Sequence, residues 1–163
     1  MVNKNQTKII AESGKQEFFI TREFEASRDL VFKAFNEPEL LMQWMGPCHM
    51  KMEIEKLENT THGSWRFIHY DDKGNKYGFN GVIHEVTEPE RIIRTFEFEG
   101  LPEKGHVSLE FLNLESLPNN RTKIIIQAIF KSVEDRDAMI QSGVEKGVVE
   151  SHNRLDELFE KGF

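Results

Sequence analysis

The sequence predicts an α+β domain in which a strongly curved antiparallel sheet wraps around a long C-terminal helix, with two short helices after the first strand. Three observations predict it. Hydrophobic residues recur with helical spacing from Ser27 to Met45, alternate from Cys48 to Phe130, and return to helical spacing from Ser132 onward. The alternating stretch holds about six short runs parted by turn residues, which means consecutive antiparallel strands. The last stretch has one apolar stripe and one charged face, as a helix gripped by a concave sheet requires.

Composition narrows the function classes. The chain has 163 residues, with 21 basic against 28 acidic and a net charge of −7. No change of composition divides it, and a chain of this length can bury roughly two thirds of its unfolded surface, so a single domain over residues 1–163 is expected. An acidic balance without a basic cluster argues against a nucleic-acid partner. The single Cys48 excludes an intramolecular disulfide. No run approaches the ~18 apolar residues of a membrane span, and the N-terminus has no apolar core of a secretory leader. The expectation is a cytoplasmic protein without membrane insertion, monomeric or homodimeric.

Residues 1 to 8 are polar and predict a frayed end without function. Ile9-Ile10 and then Glu17 to Glu25 read as extended, the second run placing Phe18, Ile20 and Phe24 on one parity and Thr21 and Glu23 on the other. Ser27 caps a short helix carrying Val31, Phe32 and Phe35. Pro38 opens a second with Leu40, Leu41 and Trp44, stopped by Gly46-Pro47. Met52 and Ile54, then Trp65 and Phe67, alternate with polar residues across the turn at His62-Gly63. The turn Asp71 to Asn75 leads into Tyr77 to Val86, and Pro89 punctuates before Ile92 to Glu99, with Phe96 and Phe98 on one face. Val107, Leu109 and Phe111 alternate with Ser108 and Glu110, which predicts that the three apolar residues face inward. Ile124, Ile126, Ala128 and Phe130 line one face of the last strand.

Ser132 to Phe163 reads as one long helix with a broken start, Ser132 and Asp135 forming a weak capping box and Gly162 the C-cap. At about 100° per residue Val144, Val148, His152, Leu155 and Phe159 fall within roughly 80° of arc. Glu150 with Arg154, and Glu157 with Lys161, are spaced to pair on the wet face. Gly143 and Gly147, mid-helix, predict close approach of another backbone or a bend near a cavity mouth.

Several strings carry a family resemblance. They are Ile20-Thr21-Arg22-Glu23-Phe24-Glu25-Ala26, Val31-Phe32, Pro38-Glu39, Trp44-Met45-Gly46-Pro47, Gly63-Ser64-Trp65-Arg66-Phe67, Phe79-Asn80-Gly81-Val82, Glu88-Pro89-Glu90-Arg91-Ile92 and Gly143-Val144-Glu145-Lys146-Gly147, ending in Arg154-Leu155. In this order they resemble the AHSA-type family related to the C-terminal domain of the activator of the Hsp90 ATPase, over about Thr21 to Leu158. The resemblance implies the helix-grip fold of the START-like, SRPBCC superfamily, whose members enclose a cavity between curved sheet and long helix. Two positions depart from the family pattern: a paired glycine is here Gly63-Ser64, and a large apolar residue is here Val148, which leaves room beside the helix. The chain also has no space for the further N-terminal domain through which the activator engages its chaperone.

Few residues suggest chemistry. The histidines at 49, 62, 69, 84, 106 and 152 lack metal-ligand spacing, so no metal is expected. Cys48 has no visible base beside it, and Glu53 and Glu55 share a face with Lys51 as on a solvated surface, so no catalytic residue is assigned. No cofactor is called for. The aromatics Trp44, Trp65, Phe67, Phe79, Phe96, Phe111 and Phe130 are either packed core or cavity wall, and the resemblance implies the wall. His152 sits in the apolar stripe about 40° from Val148 and needs a partner or cavity water. The leading expectation is a binding protein for a small, mostly apolar molecule held between the sheet and the helix at Val148 and His152. The alternative is a co-chaperone-type interaction domain whose acidic outer sheet face meets a basic protein partner. A third class, less favoured, is a cavity enzyme of the aromatase or cyclase kind.

Overall fold

The computed structural model describes residues 5–163. Its elements are β1 (Lys8–Ile10), β2 (Glu17–Phe24), α1 (Arg28–Asn36), α2 (Pro38–Trp44), β3 (Lys51–Leu57), β4 (Ser64–Tyr70), β5 (Lys76–Thr87), β6 (Arg91–Phe98), β7 (Val107–Leu117), β8 (Arg121–Ile129), α3 (Val133–Gln141) and α4 (Val144–Lys161). One antiparallel sheet runs in the order β1-β2-β8-β7-β6-β5-β4-β3. The six strands from β3 to β8 form a meander, because short turns can join only antiparallel neighbours. The first long strand then closes against the last: Phe18 pairs with Ala128 and Phe24 with Thr122. Bulges between Ile54 and Lys56 and between Ile83 and Glu85 bend the sheet. The result is the α+β helix-grip architecture, with α4 across the concave face.

The small helices form where the sequence places them. Ser27 Oγ accepts from Leu30 N at 3.3 Å and starts α1, which buries Val31, Phe32 and Ala34. Pro38 stands at the start of α2, and the indole of Trp44 donates to Ala34 O at 2.9 Å, locking the two helices together. Gly46 then turns the chain at φ +86°. The core joins α1 and α2 to the sheet and α4 through Phe24, Phe32, Trp44, Trp65, Ile124 and Leu155.

Four expectations need correction. The C-terminal helix is two helices: Gly143, at φ +89°, breaks it between Gln141 and Val144, and α3 and α4 pack as separate rods. Ser132 does cap α3, through Asp135 N at 3.1 Å. The pairs Glu150–Arg154 and Glu157–Lys161 do not form, and Nε and Nη2 of Arg154 are buried without a partner among the described residues. Of the two readings of the glycines, close backbone approach fails at Gly147, where a Cβ would have open space around it, whereas the chain does turn at Gly143 and both glycines line the pocket described below. Of the N-terminal residues expected to fray, 1–4 lie outside the described residues, whereas Asn5 donates to Glu25 and Lys8 is already in β1.

The parity of β7 is also reversed. Ser108, Glu110, Leu112 and Leu114 face inward, while Leu109 and Phe111 lie on the outer face, where Phe111 stands between Ile93 and Gln127. The outer face is therefore not uniformly acidic. Its centre carries half-buried Phe19, Ile93, Leu109, Phe111 and Ile125, and its β3–β6 side is a lattice of ion pairs in which Arg66 bonds both Glu55 and Glu99. Among the described residues, no helix is long and apolar enough to cross a membrane.

Candidate functional site

Between the sheet, the N-terminal half of α4 and the end of α2 lies a pocket of about 470 Å³. Its apolar wall follows from the pleat: Phe18 and Ile20 of β2, Ile126 and Ala128 of β8 and Ile92 and Phe96 of β6 all point to the concave side. From α4 come Val144, Gly147, Val148, Ser151 and His152, one face of the helix at three- and four-residue spacing. Gly147 and Val148 leave the space that a large side chain would occupy.

Of the residues singled out in the sequence, Trp44, Phe79, Phe96, Phe130, Val148 and His152 line this pocket. Trp65 and Phe67, each 2 % exposed, sit in the core behind the wall, where their rings are 4.7 Å apart. Phe111 is on the other side of the sheet, for the parity reason given above.

Two polar stations interrupt the apolar wall. On the helix side, His152 is 3 % exposed and its Nδ1 lies 2.8 Å from Thr7 Oγ1. The same hydroxyl accepts from Arg22 Nη1 at 3.2 Å, so Thr7 bridges the histidine ring and the buried guanidinium. Arg22 occupies the apolar parity of β2, buried, and is held by Asp156 and by Asn153 Oδ1 at 3.1 Å, both on α4. Burial, aided by the Arg22 charge, pushes the pKa of His152 down to about 3, so the ring is neutral. Burial pushes the Asp156 carboxyl up, against the pull of Arg22. Ser151 Oγ lies within 3.2 Å of Gly46 O and 2.9 Å of Gly147 O, tying the turn after α2 to α4.

On the sheet side, Arg94 of β6 and Glu110 of β7 stand directly opposite each other, with Nε donating to Oε2 at 3.4 Å. The guanidinium lies 4.6 Å from the centre of the Trp65 ring. Ser108 is the next inward residue of β7. The sequence reading passed over this station. Arg94 shares the parity of Ile92 and Phe96, and Glu110 that of Leu112 and Leu114, so a charge on the apolar parity was the available signal.

Residues 25–160 match the family model described as Activator of Hsp90 ATPase homolog 1-like protein. A protein from Rhodobacter sphaeroides superposes with a TM-score of 0.85 at 21 % identity, covering 96 % of this chain and 99 % of that one. A protein from Arthrobacter aurescens gives 0.82 at 25 % identity, covering 91 % and 88 %. The AHSA1 protein of Silicibacter pomeroyi gives 0.70 at 20 % identity, covering 86 % and 95 %. No curated protein matches the sequence significantly. A family match over most of the chain and the same helix-grip fold in these structures lead to one conclusion: the chain belongs to the Activator of Hsp90 ATPase homolog 1-like family.

Proposed function

We propose that the protein binds a small, mostly apolar molecule in the pocket between the curved sheet and α4, without covalent chemistry. The observation that carries the reading is the pocket itself. Its volume of about 470 Å³ lies within the few hundred to a thousand Å³ usual for small-molecule sites, and its wall is apolar with a few convergent polar groups. Side chains packed at the density of a protein core would leave no such space. Val148 and Gly147, where bulk would close the gap, leave it open. The apolar wall supplies affinity, and His152 and the Arg94–Glu110 pair orient the ligand's polar end. Our reading takes the cytosol as its setting, with which the exposed free thiol of Cys48 is compatible.

Native mass spectrometry of freshly purified protein tests the reading. The expected result is a retained small molecule, lost on denaturation and competed by an uncharged apolar fluorophore such as N-phenyl-naphthylamine. Protein that emerges bare and leaves the fluorophore unbound overturns it.

A further inference from the structure

We infer that the pocket selects an uncharged amphiphile, a molecule with an apolar body and one head that both donates and accepts hydrogen bonds, as an alcohol or phenol does, and that Arg94 and Glu110 set this choice. The inference rests on the binding reading above and names its ligand class.

Arg94 and Glu110 face each other across β6 and β7, inside the pocket, with side chains 25 % and 22 % exposed. The one hydrogen bond of this pair runs through Arg94 Nε, so among the described residues both Nη groups and Glu110 Oε1 are without a hydrogen-bond partner. The Trp65 ring lies against the guanidinium, its centre 4.6 Å from Cζ. Ser108, whose side chain makes no hydrogen bond among the described residues, adds a hydroxyl on the same strand face. The wall thus offers unused donors and an unused acceptor side by side, against an apolar surface built from Phe18, Ile20, Ala128, Phe130 and Val148.

The charges decide the head. Among the described residues, Arg94 and Glu110 are the two formally charged residues of the wall, and they cancel. Across the pocket, burial keeps His152 neutral. A carboxylate entering here would lose its water and meet Glu110; an ammonium would lose its water and meet Arg94. Neither finds a net opposite charge to offset desolvation. A hydroxyl costs far less to desolvate, and it accepts from an Arg94 Nη and donates to Glu110, which uses both open valences at once.

The test uses one chain length and three heads: decanol, decanoate and decylammonium, each displacing N-phenyl-naphthylamine from the full-length protein. Decanol is expected to bind about tenfold more tightly than either ion. Glu110→Gln leaves Arg94 unbalanced, so decanoate gains about tenfold on decanol, and Arg94→Gln gives decylammonium the corresponding gain. Wild-type protein that binds either ion as tightly as decanol overturns the inference while leaving the pocket as a binding site. Failure of the fluorophore and all three ligands to bind overturns both readings. Should a variant not fold, as its unfolding midpoint would show, the wild-type order alone decides.

Discussion

The hydroxyl of Thr7 lies 2.8 Å from Nδ1 of His152, across 145 residues of sequence, and links the strand-entry segment before β1 to the middle of α4. It satisfies the one ionisable side chain of the helix's apolar stripe and accepts from the buried Arg22 as well. Thr7→Val keeps the shape and removes both bonds. It is expected to cost about 1–3 kcal/mol, the penalty for leaving buried polar groups unpaired. Denaturant unfolding measures it, and an unchanged midpoint would mean that water takes over the hydroxyl's role.

The neutral His152 makes stability depend on pH. Its pKa is held at about 3 in the fold against 6.5 in the ordinary state, so between those values the unfolded chain takes a proton that the folded chain refuses. This contribution is complete above pH 6.5 and is lost as pH falls toward 3. His69, also lowered by burial, acts in the same direction, whereas Asp156, raised by burial, acts oppositely. The diagnostic is therefore the difference between wild type and His152→Phe. The variant should retain the fold and lose less stability on acidification over that window. Parallel stability–pH curves would show that His152 titrates normally.

Gly46 and Gly147 should respond in opposite ways to alanine. At Gly46, φ is +86° and a Cβ would come within 2.5 Å of the buried His69 ring, so Gly46→Ala is expected to destabilise by more than about 1 kcal/mol. At Gly147, inside α4, a Cβ meets open space, and Gly147→Ala is expected to stabilise by about 0.5–1 kcal/mol. Melting temperatures of the pair check both signs.

Val148→Trp tests whether the space beside α4 is available. In a full core, overpacking of this kind costs about 1–3 kcal/mol. Here the indole has the pocket to enter, so stability should change little while binding of N-phenyl-naphthylamine falls. A large loss of stability would mean that the surrounding side chains close the gap in solution.

Trp65→Ala separates wall from support. Trp65 is 2 % exposed, packs on Phe67 and Phe96, and donates to Thr95 O at 3.2 Å. Truncation is expected to cost about 3–5 kcal/mol, as for other large buried aromatics. Urea unfolding would show it, and a shift below about 1 kcal/mol would place this face of β4 toward solvent.

The sequence by itself determined the element order as far as β8, the meander from β3 to β8, the caps at Ser27, Ser132 and Gly162, and the stripe of α4, though not the break between α3 and α4, because these rest on local period and on the backbone needs of chain ends. It also carried the family, since ordered strings such as Trp44-Met45-Gly46-Pro47 survive without knowledge of contacts. Local pattern failed where both faces of a strand are apolar. In β7, Leu109 and Phe111 compete with Leu112 and Leu114, and the register with β6 and β8 assigns the inward face. That assignment put Glu110 in the pocket beside Arg94 and Phe111 outside it. Tertiary structure likewise decided that the segment around Thr7 anchors His152, and that Arg22 is buried, because a charge can enter a core only where distant partners such as Asp156 arrive to meet it. The pocket, too, belongs to the tertiary structure. Side-chain type says which residues avoid water, but only the distance between a curved sheet and its helix says whether they touch one another or leave a space.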